Sequence, residues 1–173
     1  IGIKASRGEY IARMDADDDA LPDRFDKQVT FLISHPEIDI VGSAIWRVDE
    51  GGKKMGMSRK TSEPKALKWQ SLFSTPLFHP TIMGRVRVFK DNPFDESLQS
   101  SEDYELWSRL MFEKGCQLAN LSEPLLLYRV FPGSFTKSLS PEKRLNSINN
   151  SLKNIERYIL LSSRERELFL SET

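Results

Sequence analysis

Apolar and polar positions along the chain alternate between a period of two and a period near 3.6. Glu9-Tyr10-Ile11-Ala12-Arg13-Met14 is a short apolar run after Gly8, and it predicts a strand that ends at an acidic loop. Pro22 and Asp23 suit the first turn of a helix, and Phe25, Val29 and Leu32 follow at helical spacing. His35-Pro36 ends that helix, because the residue before proline avoids the α region. Ile38 to Asp49 predicts a second strand with Ile40, Gly42, Ala44, Trp46 and Val48 on one face. Glu50-Gly51-Gly52-Lys53 is a turn, and residues 54–61 read as a polar, basic surface loop. Ser62 is a candidate cap for a short helix carrying Leu67, Leu72 and Phe73. Thr75 to Phe89 reads as a loop leading into a strand at Thr81-Ile82-Met83, and Asp91-Asn92-Pro93-Phe94-Asp95 as a turn.

In the second half, Ser100-Ser101-Glu102-Asp103 has the form of a capping box, with serine at the N-cap and a carboxylate three residues on. The helix it opens carries Leu106, Trp107, Leu110 and Met111 and stops at Gly115. Cys116 to Leu121 and Leu125 to Val130 are two further strand candidates. Ser140-Pro141-Glu142 opens a last helix, whose apolar stripe is Leu145, Ile148, Leu152, Ile155 and Ile159. Strands interleaved with helices predict an α/β fold, a layered mixed sheet flanked by helices.

Composition narrows the function classes. At roughly 150 residues per domain, 173 residues make about one domain. Lys+Arg 25 balances Asp+Glu 25, so the basic excess of a nucleic-acid binder is missing. Cys116 stands alone and excludes an internal disulfide, and one cysteine with two histidines cannot build a zinc cluster. No apolar run approaches the ~18 residues of a membrane-spanning helix. The chain opens at Ile1 rather than Met, directly before a strand-like run, which predicts a fragment of a longer protein.

Asp15-Ala16-Asp17-Asp18-Asp19 is the most informative segment. Carboxylates this dense repel one another unless a positive charge sits among them. A solvated turn or an acidic helix start explains them without chemistry. Their place after a buried strand favours a ligand site, since open α/β sheets bind at strand ends, and hard oxygen ligands suit Mg²⁺ or Mn²⁺. A calcium loop of the EF-hand type fits poorly. Ala20 stands where the turn glycine belongs, Asp26 where the bidentate glutamate belongs, and Pro22 interrupts the loop.

Four ordered blocks carry a resemblance. Gly8 to Asp18 with Leu21-Pro22-Asp23-Arg24-Phe25 and Gln28, continued by Ile38-Asp39-Ile40-Val41-Gly42-Ser43, is similar to the acidic segment of family 2 glycosyltransferases. His79-Pro80-Thr81-Ile82-Met83, Glu102-Asp103-Tyr104-Glu105-Leu106-Trp107 and Leu126-Leu127-Tyr128-Arg129 follow in that family's order, over about residues 3–138. The resemblance implies a partial glycosyltransferase A-type fold, with residues 1–138 as the catalytic, acceptor-side part and residues 139–173 as a helical extension. It implies an inverting, metal-dependent enzyme that moves a sugar from a nucleotide-diphosphate donor to a saccharide or glycolipid acceptor. Polysaccharide or glycoconjugate synthesis is the expected setting, in the cytoplasm or at the inner face of the membrane.

The resemblance also assigns residues. Asp17 is the first metal ligand, and Asp15 lies on the metal or the donor ribose. Asp18 supports them, and Arg129 meets the diphosphate or pairs with a surface carboxylate. Asp103 is the base on the acceptor hydroxyl, with Glu102 beside it; the helix start holds it rigidly while its dipole favours the ionised, less basic form. Decoration of a helix start is the plain alternative for this pair. His79 is a donor or acceptor contact, or structural. Trp107 borders the acceptor pocket, or packs in the core with Leu110 and Met111. The sequence departs from the family in two respects. Phe131 stands where relatives carry a histidine, and the family's nucleotide-holding strands have no counterpart before Ile1, which leaves a sheet edge beside residues 9–14. A nucleotidyltransferase of related fold and a non-catalytic carbohydrate- or protein-binding module are the alternatives.

Overall fold

A computed structural model of the chain describes residues 2–98, 100–131 and 141–171. One mixed sheet runs through it. Its strands are β1 (Tyr10–Ala12), β2 (Asp19–Ala20), β3 (Ile40–Val48), β4 (Lys54–Ser58), β5 (Met83–Arg85) and β6 (Leu118–Arg129), in the order β1-β5-β3-β6-β2, with β4 also on β3. β3 and β6 are parallel over Ile40–Val48, and every other pairing is antiparallel. β3 is flanked along its length, by β6 on one side and by β5 and then β4 on the other. Both of its faces are buried as far as Ile45, which is why it reads as a nearly continuous apolar run. β1 pairs only with β5 among the described residues and forms the expected edge.

The helices are α1 (Gly2–Ala5), α2 (Arg24–Ser34), α3 (Pro64–Gln70), α4 (Val86–Asp91), α5 (Glu102–Phe112), α6 (Pro141–Ile155) and α7 (Ser163–Ser171). Leu32 of α2 packs with Val41, Met83 and Ala119 in one apolar cluster. Leu106, Trp107 and Leu110 of α5 pack with Ile40, Leu67, Phe89 and Leu118 in another. Among the described residues no helix is long and apolar enough to cross a membrane.

Several local expectations change. The polar stretch 54–61 contains β4, because the second half of β3 needs hydrogen-bond partners and an edge strand tolerates polar side chains. The two strand candidates after Gly115 are one strand. Its register against β3 slips around Ser43-Ala44, where Pro124 sits opposite Ala44, so the proline falls at a bulge rather than in a regular ladder. Residues 79–81 form a 3-10 turn, and the strand there is Met83–Arg85. Glu63, not Ser62, caps α3 through a side-chain bond to the Ala66 N–H, and Leu72 and Phe73 lie past the helix end.

Two helix faces are also rotated from expectation. In α2 the buried row is Arg24, Gln28 and Leu32, while Phe25 is 55% exposed. Arg24 and Gln28 are inside because their side chains satisfy buried carbonyls. In α6, Leu152 and Ile155 are buried, but Leu145 is exposed and Ile159 lies beyond the helix end and is exposed. Polar contacts also fix α6. Asn154 is fully buried, and its Nδ2 donates to the Ser71 carbonyl (3.0 Å) and to Ser108 Oγ (2.8 Å). The Tyr104 hydroxyl donates to the same carbonyl (2.9 Å). Ser140 lies outside the described residues.

Candidate active site

The acidic loop is held between two arginines. Arg24 is fully buried; its Nη2 donates to the Arg13 carbonyl (2.6 Å) and its Nε to Gln28 Oε1 (3.1 Å). Gln28 in turn donates to the carbonyls of Thr81 (2.8 Å) and Val41 (3.2 Å). This clamp ties the end of β1, the 3-10 turn and β3 to one helix. On the other side, Arg129 Nε donates to the Asp17 carbonyl (3.0 Å), Nη2 to Asp19 Oδ2 (2.9 Å) and Nη1 to the Glu50 carbonyl (2.9 Å). Arg129 thus spends its donors holding the loop in shape.

Within the loop the carboxylates have different environments. Asp15 pairs with Arg13 (2.8 Å), and Asp17 is exposed at the loop crest. Asp18 is buried. One of its oxygens accepts the Arg129 N–H (3.0 Å), and the other has no hydrogen-bond partner. Burial raises the Asp18 pKa from 3.8 to about 6, with Asp17 and Asp15 adding to the rise and the Arg129 N–H opposing it.

The second half of the site comes from the start of α5. Ser101 adopts a left-handed conformation (φ 59°) and makes no side-chain cap bond, so the expected capping box is absent. Asp103 Oδ1 instead accepts the N–H of Tyr104 (2.8 Å). Burial is the largest influence on Asp103 and raises its pKa, with Glu102 reinforcing it and the Tyr104 N–H and Arg13 opposing it. Burial thus acts against the helix-start expectation of a less basic carboxylate.

These two halves line one cleft of about 1560 Å³, with Asp15 and Asp17 on one part of its wall and Glu102 and Asp103 on another. Arg13 and Arg129 line it as well. His79 is on the wall too, set by Thr81, whose hydroxyl donates to the Phe78 carbonyl (2.7 Å) and accepts the Ser43 N–H (3.0 Å). Burial holds the His79 pKa down at about 3, so the ring is neutral at ordinary pH. Trp107 does not reach the cleft. It is fully buried in the core, its ring centroid 5.7 Å from that of His79, which supports the core alternative for this residue. The remaining wall includes Ile148 of α6 and Leu168 and Phe169 of α7.

The profile of glycosyl transferase family 2 matches residues 1–107. The chain belongs to glycosyl transferase family 2. An uncharacterized glycosyltransferase of Methanocaldococcus jannaschii is 32% identical over 133 residues, 74% of this chain and 44% of that protein. The amylovoran biosynthesis glycosyltransferase AmsE of Erwinia amylovora is 33% identical over 129 residues, 74% of this chain and 47% of AmsE. The chain thus spans about half the length of these relatives. Mannosyltransferase PcManGT from Pyrobaculum calidifontis, solved with GDP-Man and Mn²⁺, superposes with a TM-score of 0.57 at 13% identity, over 99% of this chain and 46% of that one. At that identity the likeness shows the fold, which is the glycosyltransferase A-type mixed α/β fold.

For a family 2 glycosyltransferase, the donor set for a metal can be tested directly. Among the described residues, no three His, Cys, Asp or Glu side chains converge as a metal cage. Two loop carboxylates remain, Asp15 and Asp17, beside the unpartnered buried oxygen of Asp18. That set fits Mg²⁺ or Mn²⁺, which usually take one or two carboxylates and complete their shell with substrate phosphates and water. Sequence reasoning missed Arg13 as the cation among the carboxylates and missed the buried Arg24–Gln28 clamp. The signal was present in both cases. Arg24, Gln28 and Leu32 repeat every four residues, and polar side chains at a helix's inward positions mark a clamp when they face strand carbonyls.

Proposed function

We propose that this chain forms the metal- and acceptor-side part of an inverting glycosyltransferase that uses a nucleotide-diphospho-sugar donor, acting in polysaccharide or glycoconjugate synthesis. The observation that carries this reading is that Asp15 and Asp17 share one cleft with Glu102 and Asp103, more than eighty positions away in sequence. In this reading Asp17 and Asp15 hold a divalent cation, whose charge would stabilise the departing diphosphate. Asp103 removes the proton from the acceptor hydroxyl. The acceptor oxygen then bonds to the anomeric carbon as that carbon's bond to the diphosphate oxygen breaks, on the opposite face of the sugar. A raised pKa suits this task, because a more basic carboxylate is a better proton acceptor once ionised. Glu102 keeps the Asp103 pKa up by repulsion. Arg129 acts by fixing the loop that presents Asp17, and His79 offers a neutral ring to a bound sugar. The Mn²⁺ bound with GDP-Man in PcManGT also supports the metal assignment, and the name of AmsE supports the polysaccharide setting.

The deciding experiment is product analysis of the full-length protein with a panel of nucleotide-sugar donors, with and without Mn²⁺. Metal-dependent transfer that inverts the anomeric configuration is expected. Nucleotide transfer in its place would assign a nucleotidyltransferase, and sugar binding without turnover would assign a binding module.

A further inference from the structure

Asn146, Asn150 and Asn154 stand four apart on α6 and so lie along one side of that helix. Asn154 anchors α6 on the core through Ser71 and Ser108. The other two reach the start of α5. Asn146 Nδ2 donates to Ser100 Oγ (3.1 Å) and to the Ser100 carbonyl (3.4 Å), and Asn150 Nδ2 donates to the Ser101 carbonyl (3.4 Å). Glycines apart, Ser101 is the one described residue with a positive φ (59°). A Cβ disfavours that conformation, so it persists only where surrounding contacts over-determine it. Ser101 is also the N-cap of α5, and its carbonyl accepts the first bond of the helix, from the Glu105 N–H (3.0 Å). Its conformation therefore sets the direction in which α5 begins, and Glu102 and Asp103 are the next two residues.

We propose that Asn150 and Asn146 are positioning residues for Asp103: from the neighbouring helix they hold the left-handed turn at Ser101, and the turn presents the Asp103 carboxylate to the acceptor hydroxyl. This inference rests on the reading of Asp103 as the base. The usual way to fix a helix start is a side-chain cap, and Ser101 makes none. Two amide donors on α6 hold the turn instead, at the buried Ser100 and at the carbonyl that opens α5. A carboxylate that must meet a hydroxyl at hydrogen-bond distance tolerates little misplacement, so holding the residue just before the pair bears on rate. The residues expected as a helical extension thereby become part of the site. Ser100, Ser101 and Asp103 line the cleft, and Ile148, between the two asparagines, lines it from α6.

The test pairs steady-state kinetics with amide hydrogen exchange on the full-length protein. Asn146→Ala and Asn150→Ala should each lower kcat by about tenfold, and together by up to about a hundredfold, with donor KM little changed. In the double variant the Glu105 amide should exchange about tenfold faster or more, while the Leu110 amide, later in α5, keeps its parental rate. Ile155→Val loosens α6 at a buried position away from these bonds. It should lower the melting temperature and leave kcat within about twofold, which separates positioning from loss of stability. Rescue tests the backbone argument. In the Asn150→Ala background Ser101→Gly should recover most of the lost rate, because glycine adopts a positive φ without steric cost, and Ser101→Ala should not. Parental kcat in the double variant, or equal effects of glycine and alanine at position 101, would overturn the proposal. The exchange measurement uses no turnover, so failure of the base reading shows separately, as normal transfer by Asp103→Asn.

Discussion

At the residue scale, burial sets the chemistry of this site more than sequence neighbourhood does. Asp103 follows Glu102 at a helix start, yet desolvation decides its basicity. In the full-length enzyme Asp103→Asn should lower kcat by roughly 10²–10⁴-fold with little change in donor KM, as steady-state kinetics would show. The parent's kcat should fall as pH drops through the raised Asp103 pKa, and the variant's profile should lose that limb. Asp18 gives a stability test. Its pKa is about 6 in the fold against 3.8 in the unfolded chain, so between those values the folded chain holds a proton that the unfolded chain has released. Stability from this group is therefore full below about pH 4 and is lost as pH rises through 6. Asp18→Asn retains an acceptor for the Arg129 N–H and removes the buried charge. The metal-free variant should be more stable than the parent by about 1–3 kcal/mol at pH 7.5, and the gain should vanish near pH 4. Thermal melts across that range would detect it; a gain independent of pH would sink the assignment.

At the element scale, the informative cases are those where period and burial disagree. The sequence places five apolar residues at helical spacing, from Leu145 to Ile159, but in α6 only the stretch around Leu152 and Ile155 meets the core, alongside the buried Asn154, and Ile159 lies past the helix end. Leu152→Asp should cost a few kcal/mol in chemical denaturation, as an unpaired charge in a buried position does. Ile159→Asp should stay within about 0.5 kcal/mol of the parent, because that side chain is already exposed. Equal effects would mean that the stripe as a whole is buried. In α2 the logic runs the other way. Gln28→Ala should destabilise by about 1–3 kcal/mol, since it leaves the Thr81 and Val41 carbonyls short of a donor and frees Arg24.

At the scale of the whole molecule, the site exists because the sheet order folds distant segments together. β1 delivers the acidic loop and the turn at His79 is pinned to β3, while β6 brings Arg129 back across the loop. Asp17→Asn keeps the side chain's shape and removes the charge that a hard cation needs. In the full-length protein it should abolish Mn²⁺-dependent turnover and leave the melting temperature of the metal-free form nearly unchanged. Unaltered activity at limiting Mn²⁺ would remove Asp17 from the metal site.

The α/β class, β3, the start of α2, α5 and the ordered motif blocks were legible in the sequence. Each depends on local periodicity, on proline and glycine stereochemistry, or on residue types whose chemistry is their own. The tertiary structure decided what depends on partners. Lys54–Ser58, inside the stretch expected as a loop, became a strand because β3 had an open edge, and the start of α5 lost its capping box to a left-handed Ser101. Phe25 is exposed and Arg24 buried, because the carbonyls of Arg13 and Ile82 beside the strand ends needed a donor more than the core needed another ring. The raised pKa of Asp103 has no signature along the chain. It arises first from desolvation, which is a property of the fold.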